Sequence, residues 1–414
     1  MDSTSTISID LRAIGRNVRR LRGLIGPDRA MCTVLKADAY GLGASRIWPA
    51  MVEHDVDMLA VYSLPQANAL ADAGCTAPVL VLMPVHRLDA DDAARPQFIA
   101  GQVHLTIHDA EQARALIASI RESGLRMRVP VHIELDTGMT RGGARPAEAQ
   151  DLARLVHGSR ELELAGVFTH LVASGSAAAT DAQMRCLDEW MARCSAWLPR
   201  GLLVHLASSH AAVRDSASHR GMIRVGLAWT GLVDDEWDAF DPGDGLESVV
   251  RWTTSVVQAK RVPAGTPVGY GSTWCSAQDT VIALLPVGYA DGYPSPKPGL
   301  QQAVRIHARG SWQTVPVVGA VNMDQLTVDV GSIVGSWGAP QELYGAPVEL
   351  LGTDRRQATH PIEVARVAGR KPYEILCGLS ARLPRVHEGA LSIDRSLRSV
   401  SVPRSAAASP NAGE

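Results

Sequence analysis

The sequence predicts an α/β fold: a (β/α)8 TIM-type barrel followed by a mainly β C-terminal domain. Three observations carry that reading. Between Cys32 and about Gly231, roughly eight short β-branched or leucine-rich runs alternate with stretches of helical periodicity, as parallel strands joined by helical crossovers do. Beyond about Asp235 glycine and proline become frequent, alternating runs replace helical ones, and helical periodicity almost vanishes until Pro361. A chain of 414 residues, 46% hydrophobic, is long enough to bury two cores.

Taken in order, residues 1–10 are expected to form a strand that packs with the β domain. After Asp10, the residues Leu11, Ile14, Val18, Leu21 and Ile25 recur at three- and four-residue steps, an amphipathic helix ahead of the first barrel strand. The barrel runs are CTVLK (Cys32 to Lys36), DMLAVYS (Asp57 to Ser63), PVLVLM (Pro78 to Met83), VHLTI (Val103 to Ile107), VPVHIEL (Val129 to Leu135), LAGVFTH (Leu164 to His170), LLVHLA (Leu202 to Ala207) and MIRVG (Met222 to Gly226). Between them, Asp109 to Gly124 opens on a capping aspartate and closes on glycine, and Thr180 to Trp197 reads the same way. The second domain is announced by VVRWTTSVVQA, TVIALLPVG and QLTVDV. These signals put the barrel at 11–234 and the β domain at 235–390. The remaining 391–414 form a tail whose small, polar, proline-containing end should be disordered.

Composition narrows the function. The formal charge is −3, with lysine and arginine spread along the chain, so no electrostatic footprint for nucleic acid is expected. The amino terminus has neither the basic nor the apolar region of a signal peptide. The most apolar short run, Val79 to Met83, is too brief to span a bilayer, so a cytoplasmic location with no membrane partner is expected. The six cysteines form no Cys-x-x-Cys pair and no metal-ligand spacing with histidine, which reads as reduced thiols, mostly core filler, and no metal.

In a parallel barrel the reactive groups gather where the carboxyl ends of the strands meet one mouth. Lys36 ends the first run, in VLKADAYGLG. A lysine taken alone is more often a solvated cation. One held among apolar neighbours has a lowered pKa and becomes competent to form a Schiff base.

KADAYGLG resembles the pyridoxal-phosphate signature of the alanine racemases, with Leu42 where that family usually has histidine. VPAGTPVGYGSTW (Val262 to Trp274) resembles the segment carrying the family's catalytic tyrosine, which identifies Tyr270. LPVGYADGYP (Leu285 to Pro294) and VGAVNMDQ (Val318 to Gln325) resemble two further signatures. The resemblance runs from roughly Ile7 to Pro384. It implies that pyridoxal 5′-phosphate is held on Lys36 and that L- and D-alanine are interconverted. Removing the Cα proton from one face and returning it to the other needs two acid/base groups, and Lys36 and Tyr270 fill those roles. In relatives the tyrosine comes from the neighbouring subunit, which implies a homodimer with shared sites. A phenol needs a nearby cation to act as a base, and the resemblance puts His205 and Arg224 close enough to help.

The resemblance also sets Arg224 against the pyridine nitrogen, where a permanently charged guanidinium leaves that nitrogen unprotonated and disfavours competing chemistry. It assigns the phosphate to Tyr40, Ser209, Tyr373 and the amides of Gly226 and Leu227, and packs His170 on the ring. Arg141 and the Met323 amide receive the substrate carboxylate, with Asp324 in support, and Tyr289 and Tyr373 narrow the entrance to little more than a methyl group. Glu134 stands seven residues before Arg141, where many relatives carry a carbamylated lysine. A glutamate supplies the orienting charge directly, so no carbamylation is expected.

Departures at Ser208, at Asn322 and in the loop VASGSAAATDAQ after His170 bear on substrate breadth. The competing readings are a racemase of serine or of a broader or basic amino-acid range, a decarboxylase of the same two-domain plan, and a cofactor carrier without turnover. Cys377 in EILCGLS does not resemble the decarboxylase motif, and a carrier has no need of the β domain.

Overall fold

The computed structural model describes residues 5–89, 94–124, 127–233, 245–334 and 339–389. The tail expected over 391–414 and the expected start of the second domain at 235 lie outside them. The first strand, β1 (Thr6–Asp10), leads straight into the helix Leu11–Ile25, whose start is fixed by the Asp10 carboxylate accepting from the amides of Arg12 and Ala13. Leu11, Ile14, Val18, Leu21 and Ile25 are its buried stripe. Asn17, fully buried on the same helix, donates to the carbonyls of Trp229 and Glu247 and accepts from the Glu247 amide, tying the helix to the end of the barrel.

Eight parallel strands then close a barrel in chain order: β2 (Ala30–Val34), β3 (Met58–Val61), β4 (Val79–Pro84), β5 (Val103–Ile107), β6 (Val129–Glu134), β7 (Leu162–Phe168), β8 (Leu203–His205) and β9 (Met222–Val225). The boundaries differ from the expected ones by a few residues. The first strand stops at Val34, so Lys36 belongs to the turn beyond it. The helix expected at Thr180 begins at Ala177, because Ser176 Oγ, rather than a later group, caps it. Side chains alternate between the inside of a barrel and its outer layer. Ala30, Cys32, Val34, Met58, Ala60, Leu80, Leu203 and Met222 form a buried apolar cluster separate from the main core. The same alternation on β5, β6, β8 and β9 delivers His104, His132, His205 and Arg224, all buried.

The remaining strands are β10 (Val250–Ser255), β11 (Gln258–Val262), β12 (Pro267–Val268), β13 (Trp274–Cys275), β14 (Thr280–Leu285), β15 (Ala303–Ala308), β16 (Ser311–Val318), β17 (Leu326–Asp329), β18 (Pro347–Leu351) and β19 (Arg385–Glu388). Apart from the β12–β13 ribbon, they form one nine-stranded sheet with β1, in the order β11-β14-β17-β16-β15-β18-β10-β1-β19. β1 pairs antiparallel with β10 (Ile7 opposite Trp252) and parallel with β19 (Ile7 opposite Arg385). Two short helices, Pro361–Ala368 and Pro372–Gly378, return the chain toward the barrel mouth. Among the described residues no helix is long and apolar enough to cross a membrane. The six cysteines are free. Cys32, Cys75 and Cys194 are buried, Cys186 is half-buried, and Cys275 and Cys377 are exposed, so core filling accounts for only half of them.

Candidate active site

Arg224 is the best-anchored group at the mouth. Its Nη1 donates to His205 Nδ1 at 2.8 Å and to the His205 carbonyl at 3.0 Å, and its Nη2 donates to the Thr169 carbonyl at 2.9 Å. Nη2 also lies 3.5 Å from His170 Nδ1, and the guanidinium carbon sits 4.7 Å from the centre of the Phe168 ring. Burial, and then the Arg141 cation, pull the Arg224 pKa down to about 10, which leaves it charged at neutral pH. His170 is half-buried beside it. Burial first, then Arg224, Arg141 and Lys36, lower its pKa to about 3, so the ring is neutral. Three cations therefore converge on one imidazole, a field suited to an anionic ligand.

Lys36 opens a backbone turn that the sequence does not suggest. Ala37, Asp38, Ala39 and Tyr40 all hold positive φ (53 to 60°), a left-handed turn of four non-glycine residues. Each such residue costs roughly 1–2 kcal/mol, so the surroundings must enforce the turn. Asp38 Oδ1 accepts from the Ala44 amide at 2.7 Å, Arg385 Nε donates to the Gly41 carbonyl at 3.2 Å, and His387 Nε2 bonds the Leu42 carbonyl at 2.8 Å. The turn presents Lys36 at the mouth and turns Tyr40 inward. Lys36 stays exposed, not enclosed by apolar neighbours as expected. Crowding at the mouth, and then the Arg141 guanidinium, still lower its pKa.

Opposite the turn, buried Ser209 Oγ accepts from the amides of Gly226 (2.9 Å) and Ala228 (3.1 Å). Leu227, whose amide was expected with that of Gly226 at the phosphate, lies between these two residues. A Cβ on Gly226 would lie 2.1 Å from the Tyr40 hydroxyl, so only glycine lets that phenol reach the amides. Tyr40 is buried, and burial followed by Cys377 and Tyr373 pushes its pKa up, so the phenol remains a donor. Hydroxyls and amides without a carboxylate form a cradle for a phosphate.

Arg141 rides on a loop closed over the end of β6. The Ala144 amide donates to the Glu134 carbonyl and the Asp136 amide to the Ala144 carbonyl, both at 2.9 Å, while Asp136 Oδ1 gathers the amides of Gly138 and Thr140. Glu134 lies beneath this loop, buried, with Oε2 3.1 Å from His108 Nδ1. No hydrogen bond or ion pair joins it to Arg141 among the described residues. The charge expected to hold the arginine directly instead meets His108, whose Nδ1 also lies 3.1 Å from the Gly143 amide two residues past Arg141.

The β domain brings its motif segments together. Gly288 fits against the carbonyls of Asn322 and Met323, each of which a Cβ would approach to 2.2 Å, and the amides of Tyr289 and Ala290 donate to those carbonyls. Arg382 donates to Asp291 Oδ1 and Asp324 Oδ1, each at 2.7 Å, bracing the two loops. Asn322 Oδ1 is buried without a partner among the described residues. Tyr270 stands between β12 and β13 and is 80% exposed. Met323 (55%), Tyr289 (54%) and Tyr373 (42%) are exposed as well. Within one chain no hydrogen bond, ion pair or ring contact joins Tyr270 to Lys36, His205 or Arg224 among the described residues.

Sequence reasoning missed His104, His132, His108, Gln183 and Arg382. Gln183, buried, staples the loops after β6 and β7 by donating to Thr137 Oγ1 and the His170 carbonyl. His132 and Glu134, two apart on one strand and so on one face, were the available signal.

Residues 9–234 match the family described as alanine racemase, N-terminal domain, and residues 249–387 match that described as alanine racemase, C-terminal domain. The chain is 34% identical to the alanine racemase of Desulfovibrio desulfuricans over 92% of its own length and 96% of that protein's. It is 31% identical to that of Nostoc sp. over 92% and 95% of the two chains. Its structure is similar to that of alanine racemase from D-cycloserine-producing Streptomyces lavendulae, with a TM-score of 0.81 at 25% identity over 94% of this chain and 98% of that one.

Proposed function

Because the chain belongs to the alanine racemase family, we propose that it interconverts L- and D-alanine, with Lys36 and the partner subunit's Tyr270 as the two acid/base groups. The observation that carries the reading is the convergence of Lys36, Arg141 and Arg224 on His170 beside the Ser209, Tyr40 and Gly226 cradle.

Enzymes of this family depend on pyridoxal 5′-phosphate. The residues fit that group: Ser209, Tyr40 and Tyr373 with the amides near Gly226 suit its phosphate, Arg224 its ring nitrogen, and Lys36 its aldehyde. When bound, it holds the amino acid through nitrogen and makes the Cα proton acidic. The rest is work for the protein. The crowded mouth and Arg141 lower the Lys36 pKa, a shift toward the neutral amine that can take a proton. Arg224 donates hydrogen bonds and surrenders no proton, so it keeps the ring nitrogen unprotonated and favours prompt return of the Cα proton over side reactions. Arg141 and the Met323 amide bind the substrate carboxylate, Glu134 and His108 hold the loop beneath Arg141, and Tyr289 and Tyr373 restrict the side chain.

A homodimer with shared sites is supported by Tyr270, Tyr289 and Met323, which are exposed on the β domain, with no hydrogen bond, ion pair or ring contact joining Tyr270 to Lys36 or Arg224 among the described residues. Six free cysteines, two of them exposed, suit the reducing cytoplasm.

The test is substrate-dependent incorporation of deuterium at Cα in heavy water, with alanine, serine, lysine and arginine. Exchange of both alanine enantiomers above the others is expected. Cofactor-loaded protein that exchanges no Cα proton would be a carrier, and faster exchange with serine or a basic amino acid would reassign the substrate.

A further inference from the structure

Behind Arg224 a line of three imidazoles crosses the inside of the barrel. His205 Nε2 lies 2.8 Å from His132 Nδ1, and His132 Nε2 lies 2.9 Å from His104 Nδ1. His104, at the amino-terminal end of β5, ends the line. The line steps over a strand: β6 and β8 flank β7, and Gly166 on β7 is the gap that lets the ring through. A Cβ there would lie 2.3 Å from His132 Nδ1 and 2.8 Å from the Leu203 carbonyl.

The direction of every hydrogen bond follows from the first. A guanidinium has donors only, so His205 Nδ1 must accept from Arg224, which puts the His205 proton on Nε2. His132 Nδ1 must then accept and its Nε2 donate, so His104 Nδ1 accepts in turn and the neutral His104 ring carries its proton on Nε2. All four side chains are buried, and burial lowers the pKa of each imidazole, that of His104 to about 4. A second proton anywhere in the line would set two donors face to face.

We infer that His132 and His104 are positioning residues: through His205 they hold Arg224 in one orientation, with its Nε–H, which no other described group takes, reserved for a ligand acceptor at the mouth. The role rests on the reading of Arg224 given under Proposed function. The direction of the line does not.

Two measurements on the cofactor-loaded enzyme test it. Long-range proton–nitrogen correlation spectra with 15N-labelled histidine should show all three rings neutral with the proton on Nε2, unchanged from pH 8 to pH 6. His132→Leu should lower kcat roughly tenfold to a hundredfold, about the effect of losing a hydrogen bond that braces a charge, with KM for alanine nearly constant and an altered cofactor absorbance. His132→Gln, whose amide can accept at one atom and donate at the other, should recover most of the loss, while Gly166→Ala should reproduce it by displacing the ring. Nδ1–H or doubly protonated rings, or wild-type kcat and absorbance in His132→Leu, would overturn the inference. If His132→Leu does not fold, the spectra of the unaltered enzyme and the Gly166→Ala kinetics still decide. Failure of the racemase reading looks different: the unaltered enzyme would exchange no Cα proton even with the tautomers as stated.

Discussion

Gly143 and its neighbour Gly142 offer a matched pair of substitutions in the loop that carries Arg141. Gly143 holds φ +89°, where an L-residue is strained by roughly 1–2 kcal/mol. A Cβ there would also lie 2.7 Å from the Glu134 carbonyl and 2.9 Å from Glu134 Cγ. Relieving that overlap against a backbone already tied to Ala144 adds roughly 1–3 kcal/mol. Gly142 lies outside the left-handed region, and a Cβ there would approach nothing closer than 3.4 Å, to Glu134 Oε2 and His108 Nδ1. Gly143→Ala is therefore expected to lower the thermal midpoint by roughly 2–6 °C. It should also raise the alanine KM roughly tenfold, because the shifted loop misplaces Arg141. Gly142→Ala should change stability by only about 0.5 kcal/mol. Thermal unfolding followed by circular dichroism, with a coupled racemase assay on both variants, reads the contrast. Equal midpoints and equal KM values for the two would refute the claim that Glu134 is the platform for the Arg141 loop.

Glu134→Gln keeps the shape but removes the charge facing His108, and should lower kcat/KM for alanine roughly tenfold; the unaltered enzyme should be indifferent to removal of bicarbonate, and loss of activity on that removal would mean a carbamate is needed after all. Burial lowers His104 to about 4 and His170 to about 3, against 6.5 in the unfolded chain. Because the unfolded state then binds more protons, stability is full above about pH 6.5 and falls below it, by about 2 kcal/mol for each of these two groups at pH 5. Urea unfolding at pH 7 and pH 5 measures this, and equal stability at both would contradict the burial of these rings. Arg382→Met releases Asp291 and Asp324 together, so it should raise the alanine KM and weaken self-association seen by sedimentation. Unchanged values of both would mean that the brace does not govern the loops bearing Tyr289 and Met323.

The barrel was legible because strands covered on both faces must be apolar on both, and runs such as Val79 to Met83 have few other uses. Helix starts were legible where a cap stood in the sequence, as at Asp10 and Asp109. The turn at Ala37–Tyr40 was not, since alanine and tyrosine have no left-handed preference, aspartate visits that region only as a single residue, and the restraints come from Ala44, Arg385 and His387, the last two more than 340 residues away. The β15–β16 hairpin escaped notice because its turn, Arg309-Gly310 with φ of 50° and 77°, lacks the usual Asn-Gly or Asp-Gly signal. Among site groups, Lys36 and Arg224 stood out through motif and strand position. The partner of Glu134, His108, and the imidazoles behind His205 did not, because hydrogen bonds across a barrel join strands whose spacing in sequence carries no information.

Mixing two single variants tests the shared site most directly. Lys36→Ala and Tyr270→Phe are each expected to be nearly inactive, and chains unfolded and refolded together should pair at random. Half of the dimers then carry both kinds of chain, and each of these has one site with both groups intact, so activity should return to about one quarter of that of the unaltered enzyme. Activity no higher than the sum of the separate variants, in material shown to contain mixed dimers, would mean that Lys36 and Tyr270 do not act across the subunit boundary.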